Sequence, residues 1–187
     1  MSEEEFVEWC GPKPRAEWVE GEVLFMAPVS FRHADLSAWL LSIIRMYARR
    51  KDLGVAVGGE FYVRLANRRR LPDVLFVSKS HLSLLKENHL EGPPDLIMEI
   101  VSPESESRDW REKYLEYQRA GVLEYWIIDP TSRRVEAYTL SGGKYVAFVE
   151  QEGTLPSAAI PGFYLRPQWL WQDPLPSELD VLRELGV

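Results

Sequence analysis

Two apolar runs, DLIMEIVS (Asp95 to Ser102) and VLEYWIID (Val122 to Asp129), stand on either side of SRDWREKYLEYQRAG (Ser107 to Gly121). A short run that is apolar on both faces suits a strand covered on both sides of its sheet. The intervening segment reads as a helix closed by Gly121. Strand, helix and strand of this length form a βαβ unit, so the two strands are expected to be parallel. No other feature limits the fold as strongly. The strands before this unit read as a hairpin, so the expected class is α/β with a mixed sheet.

Upstream, EWVEGEVLFMAP suggests two short strands around Gly21, and Ser30 is placed to cap a helix. Leu36, Trp39, Leu40, Ile43, Ile44 and Tyr47 then recur at helical spacing, so one amphipathic helix is expected to about Lys51, ending near Gly54. VAVGGEFYVRL alternates and is expected to be one half-buried strand. NRRR is expected to turn the chain into LPDVLFVS, where Pro72 suits a strand start. A polar helical connection from Ser80 to Asn88 follows, and the Gly92-Pro93-Pro94 breaker precedes the βαβ unit. After that unit comes a hairpin turning at Gly142-Gly143, then a tail containing Pro and Trp.

At 187 residues with 45% hydrophobic content, the chain can bury one good core and is expected to form one domain over residues 1–187. Its apolar runs fall short of the roughly 20 residues of a membrane span, and MSEEEF has no signal-peptide pattern. A cytoplasmic location is therefore expected. A single cysteine, Cys10, excludes an intrachain disulfide and any multi-cysteine metal site. The net charge of −7 argues against a protein that coats nucleic acid non-specifically, without excluding a local basic groove. No GxxxxGK[ST], HExxH, GxSxG or CxxC occurs, which leaves P-loop, zincin, serine-hydrolase and zinc-ribbon chemistry without support.

Glu99 interrupts the first apolar run. A buried carboxylate costs several kcal/mol unless it is paired, hydrogen-bonded or bound to a metal. An arginine partner would serve. So would a cation shared with Asp73, which follows Pro72 on what should be a neighbouring strand. Hard oxygen donors with room for water suit Mg²⁺ or Mn²⁺. The cluster Arg68, Arg69 and Arg70 is either a solvated turn or a phosphate-attracting group beside Asp73. Glu60 is either solvent-facing, ion-paired or a third acid.

RLPDVLFVS, LIMEIVSPESESRDWREKYLEYQRAGVLEYWIIDP and EWVEGEVLFMAPVSFRHADL resemble the Uma-two family within the PD-(D/E)XK restriction-endonuclease-like superfamily. The likeness runs from about Glu17 to Tyr164. It implies a restriction-endonuclease-like fold, with a mixed central sheet flanked by helices, extra N-terminal strands, a C-terminal hairpin and a nuclease core at about residues 30–130. The implied activity is that of a metal-dependent DNA endonuclease hydrolysing phosphodiester bonds. Asp73 and Glu99 would hold Mg²⁺ or Mn²⁺, and the superfamily's habit of cutting both strands implies a homodimer.

The usual lysine two residues after the second acid is replaced by Val101. That departure supports the alternative of a non-catalytic module for nucleic-acid or protein binding. Within the resemblance, Lys113 is the substitute, since Asp109, Lys113 and Tyr117 follow at i, i+4 and i+8 on one helical face. By themselves the three read as a surface ladder with a packed tyrosine. His33, one turn before the apolar stripe of the first long helix, reads either as a core histidine or, by the RecB-like branch of the superfamily, as a metal ligand favouring Mn²⁺.

Overall fold

The computed structural model describes residues 1–10, 16–101, 108–148 and 153–187, and for residues 108–110 the backbone alone. Helix α1 (Glu3–Cys10) leads into the hairpin β1 (Ala16–Val19) and β2 (Glu22–Phe25). Helix α2 (Phe31–Arg50) follows, and the Ser30 side chain caps it by accepting the backbone N–H of His33 at 3.2 Å. Next come β3 (Gly54–Gly58), β4 (Tyr62–Leu65), β5 (Arg68–Arg70), β6 (Val74–Ser78), β7 (His89–Glu91) and β8 (Leu96–Ile100). The second half holds α3 (Arg108–Ala120), β9 (Glu124–Asp129), β10 (Arg134–Ser141), β11 (Lys144–Ala147), β12 (Leu155–Pro156), β13 (Tyr164–Leu165), α4 (Pro167–Leu170) and α5 (Glu178–Glu184).

A six-stranded mixed sheet in the order β11-β10-β9-β8-β6-β3 forms the centre. Strands β8 and β9 are parallel, with Glu99 opposite Ile127, as the βαβ pattern requires. All five residues of β8 are buried, because both faces of the sheet are covered. On one face Met98 and Ile100 pack with Leu40, Ile43 and Ile44 of α2 and with Trp169 and Leu182 from the C-terminal helices. On the other, Ile97 packs with Tyr117 of α3 and with Val63, Leu65 and Leu90 of a second sheet. That sheet has the order β2-β1-β5-β4-β7.

Three local expectations are corrected. VAVGGEFYVRL is two strands in two sheets: β3 pairs with β6, whereas β4 pairs with β5 and β7. The alternation continues through the break, but the backbone does not. A Cβ on Gly58 would lie 2.2 Å from the carbonyl oxygen of Asp73, and Gly59 has φ of +78°, so the chain passes close to Asp73 and leaves the sheet there. The turn after β4 is Ala66-Asn67, and Arg68, Arg69 and Arg70 belong to strand β5. The connection after β6 is a 3-10 turn over Lys79–Leu84, and the chain then forms the short edge strand β7. The later hairpin is as expected, turning at Gly142 and Gly143 with φ of +57° and +78°. Among the described residues no helix is long and apolar enough to cross a membrane.

Candidate active site

Asp73 immediately precedes β6, Glu99 lies in β8, and His33 occupies the first turn of α2. All three are buried. The backbone of Asp73 is anchored on two sides, since its carbonyl accepts the N–H of Gly59 at 3.3 Å and the hydroxyl of Ser37 at 3.4 Å. Its carboxylate Oδ2 accepts the N–H of Ile100 at 2.8 Å, extending the β6 to β8 ladder by one side-chain rung. The imidazole of His33 meets the same point. Its Nε2 is 3.3 Å from Asp73 Oδ2 and 3.0 Å from the carbonyl oxygen of Ile100. Among the described residues its buried Nδ1 has no hydrogen-bond partner, and the polar contacts of the ring are made by Nε2.

Among the described residues no three His, Cys, Asp or Glu side chains cluster as a metal-holding group. The donor set that does converge mixes two side chains, His33 and Asp73, with one main-chain oxygen, that of Ile100. Both separations about Nε2 are hydrogen-bond distances. Ligands about 2.1 Å from an octahedral ion stand about 3 Å from their neighbours, close to the 3.0 Å and 3.3 Å separations about Nε2. Glu99, adjacent to Ile100 in the chain, has its Oε1 turned to α3, where it accepts from Lys113 Nζ at 3.0 Å and from the Tyr117 hydroxyl at 2.8 Å.

The charges around Glu99 oppose one another. Burial raises its pKa, Lys113 pulls it down, and Asp73 and Glu17 raise it again, leaving it pushed up to about 7. Burial works against a charged Lys113, but Glu17 and Glu99 outweigh it and hold its pKa above the ordinary lysine range. Burial likewise lowers the pKa of His33, and the hydrogen bond and charge of Asp73 more than reverse this, so the net shift is upward. Burial, with Glu99 adding to it, raises Tyr117 well above the usual phenol value. The net shifts favour the protonated forms of Glu99, Lys113, His33 and Tyr117.

Of the residues singled out in the sequence, the structure joins His33 to Asp73, and Lys113 and Tyr117 to Glu99, with Asp73 near enough to Glu99 to act on its charge. Glu60 is not drawn in: it is exposed in the link between β3 and β4, and nothing ties its carboxylate to Asp73 or Glu99. The side chain of Asp109 lies outside the described residues. The three arginines are engaged with acids. Arg68 pairs with Glu20, Arg69 with Glu3 at 2.7 Å, and Arg70 with Glu17 at 2.8 Å and Glu116 at 2.6 Å. Sequence reasoning missed the carbonyl of Ile100, which no side-chain motif can announce. It also missed Glu17, Arg70 and Glu116 as buried partners of one another. The four-residue strand around Glu17 is too short for alternation to separate Glu17 from the exposed Glu22.

A mixed sheet carrying an acid at the head of one strand, a second acid inside its neighbour and a lysine on the following helix defines a restriction-endonuclease-like α/β fold. The Uma2 family, described as "Putative restriction endonuclease", matches residues 3–168, and the chain belongs to it. The fold is similar to that of a crystal structure described as a putative nuclease belonging to DUF820 from Anabaena variabilis ATCC 29413. The TM-score is 0.79 at 19% identity, over 91% of this chain and 97% of that one. No curated protein matches the chain.

Proposed function

We propose that this chain is a Mg²⁺- or Mn²⁺-dependent DNA endonuclease in which Asp73, Glu99, His33 and the carbonyl oxygen of Ile100 hold the cation. The observation that carries the reading is the convergence of Asp73 Oδ2 and Ile100 O on His33 Nε2, at 3.3 Å and 3.0 Å. A cation bound there would polarise a phosphodiester and lower the pKa of a bound water. Everything else falls to the chain's own residues. Tyr117 donates to Glu99 Oε1 and fixes the rotation of that carboxylate. Lys113, held as an ammonium, replaces the lysine absent at Val101 and offers positive charge beside the acids, where charge develops as a phosphate is attacked. Once it has given up the Nε2 proton that it donates to Ile100 O, His33 adds a nitrogen donor, which favours Mn²⁺ over Mg²⁺. A DNA strand would supply the phosphates, and action on both strands suits a homodimer.

Incubation of supercoiled plasmid with the wild type and with Asp73→Ala, in Mg²⁺ and in Mn²⁺, tests the proposal. Nicked or linear product from the wild type alone is expected. Equal product from both proteins would remove Asp73 from the chemistry and overturn the proposal, and none from either in both metals would overturn it in favour of a non-catalytic module.

A further inference from the structure

We propose that Glu17 is a positioning residue of this site, holding the ammonium of Lys113 against Glu99; this rests on the reading of Lys113 as the cationic group of the reaction. Glu17 lies on β1, in the second sheet, and is buried. Both of its oxygens are engaged. Oε1 accepts the N–H of Leu71 at 3.0 Å and lies 3.9 Å from Lys113 Nζ, while Oε2 accepts from Arg70 Nη1 at 2.8 Å. Arg70 in turn donates through Nη2 to Glu116 Oε2 at 2.6 Å. Glu99, Lys113, Glu17, Arg70 and Glu116 thus alternate in sign from the acids of the central sheet to the body of α3.

The geometry distinguishes two duties. The hydrogen bonds to Leu71 and Arg70 lock Glu17 itself in place. The 3.9 Å approach to Lys113 is too long for a hydrogen bond and acts as an electrostatic guide. A lysine is a point charge on a flexible four-carbon stem, and one carboxylate partner leaves it free to swing. A second carboxylate 3.9 Å away confines it. The confinement matters most when the charge of Glu99 is drawn toward a cation, because Glu17 is then the carboxylate that still holds the ammonium near the reacting phosphate. It also gives the N-terminal hairpin a part in the site, since that hairpin delivers Glu17.

Glu17→Gln keeps the shape and removes the charge. Steady-state cleavage of a DNA substrate in Mn²⁺ should be compared for wild type, Glu17→Gln, Lys113→Ala and the double variant, with Mn²⁺ affinity read by calorimetry. The expected result is a kcat lower by roughly tenfold in Glu17→Gln, with KM and Mn²⁺ affinity within about twofold, and no further loss when Glu17→Gln is added to Lys113→Ala. Equal losses in both backgrounds would show a structural role alone, and a wild-type kcat in Glu17→Gln would dismiss any role; either overturns the proposal. If the wild type cleaves nothing, the reading of the site as a nuclease fails, and nuclear magnetic resonance of the ¹⁵N-lysine ammonium groups decides the positioning separately. The Lys113 signal, assigned by its loss in Lys113→Ala, should shift or broaden in Glu17→Gln, and an unchanged signal overturns the proposal. Should Glu17→Gln not fold, Glu17→Asp, which keeps the charge and shortens its reach, carries the same comparisons with the same outcomes.

Discussion

Lys113→Met removes the cation from between two buried carboxylates. Glu17 keeps Arg70 and the N–H of Leu71, but among the described residues Glu99 keeps only the Tyr117 hydroxyl. Stranding one member of a buried pair typically costs about 3–5 kcal/mol. Here Glu99 can escape that cost by taking a proton, because its pKa already stands at about 7 with Lys113 in place. A carboxyl whose folded pKa lies above its unfolded value contributes stability at low pH that is lost as pH rises through the folded pKa. In the wild type that loss stops near pH 7. In Lys113→Met, with the main opposing influence gone, it continues upward at about 1.4 kcal/mol per pH unit. From about pH 7 to about pH 8.5 the variant should therefore fall a further ~2 kcal/mol behind the wild type, with little added difference below about pH 6. Urea unfolding followed by tryptophan fluorescence at the two ends of this range measures the gap. A gap of the same size at about pH 6 and about pH 8.5 would refute the reasoning, since Glu99 would then be carrying its charge unaided. In Mn²⁺ the same variant should cleave DNA more slowly by about two powers of ten, and an unchanged rate would remove Lys113 from the chemistry.

Glu99→Gln abolishes the titration altogether. Its stability relative to wild type should rise between the ordinary glutamate value of 4.5 and the raised value of about 7, by on the order of 3 kcal/mol at most; a pH-independent difference in thermal unfolding would contradict this. His33→Ala leaves the oxygen donors of Asp73 and Ile100 in place, so calorimetry should show Mn²⁺ affinity reduced by a larger factor than Mg²⁺ affinity. Equal reduction for both ions, or none for either, would return His33 to the role of a buried helix residue.

The parts of the fold that the sequence displayed are those governed by local pattern. The two apolar runs around a Gly-closed helix place β8, α3 and β9, and the helical stripe from Leu36 to Tyr47 places α2 on the sheet. Glu99 was conspicuous because a charge inside such a run needs a partner, and the i to i+4 step from Lys113 to Tyr117 puts both groups on one carboxylate oxygen. Features set by the meeting of distant segments were illegible. Residues 55–65 alternate without interruption, yet the approach of Gly58 to Asp73 divides them between two sheets. Arg70 looked like one of three equivalent surface arginines and is instead buried between Glu17 and Glu116, 53 and 46 positions away in the chain. Main-chain donors such as the carbonyl of Ile100 have no side-chain signature at all.

In the proposed nuclease one divalent cation sits where α2, β6 and β8 meet. A crystal of the protein grown with Mn²⁺, with diffraction recorded at the manganese absorption edge, locates such an ion by its anomalous signal. The expected result is a peak about 2.0–2.4 Å from His33 Nε2, Asp73 Oδ2 and the carbonyl oxygen of Ile100, with the Glu99 carboxylate in the same shell. No peak at that junction, with His33 Nε2 still hydrogen-bonded to Ile100, would contradict it.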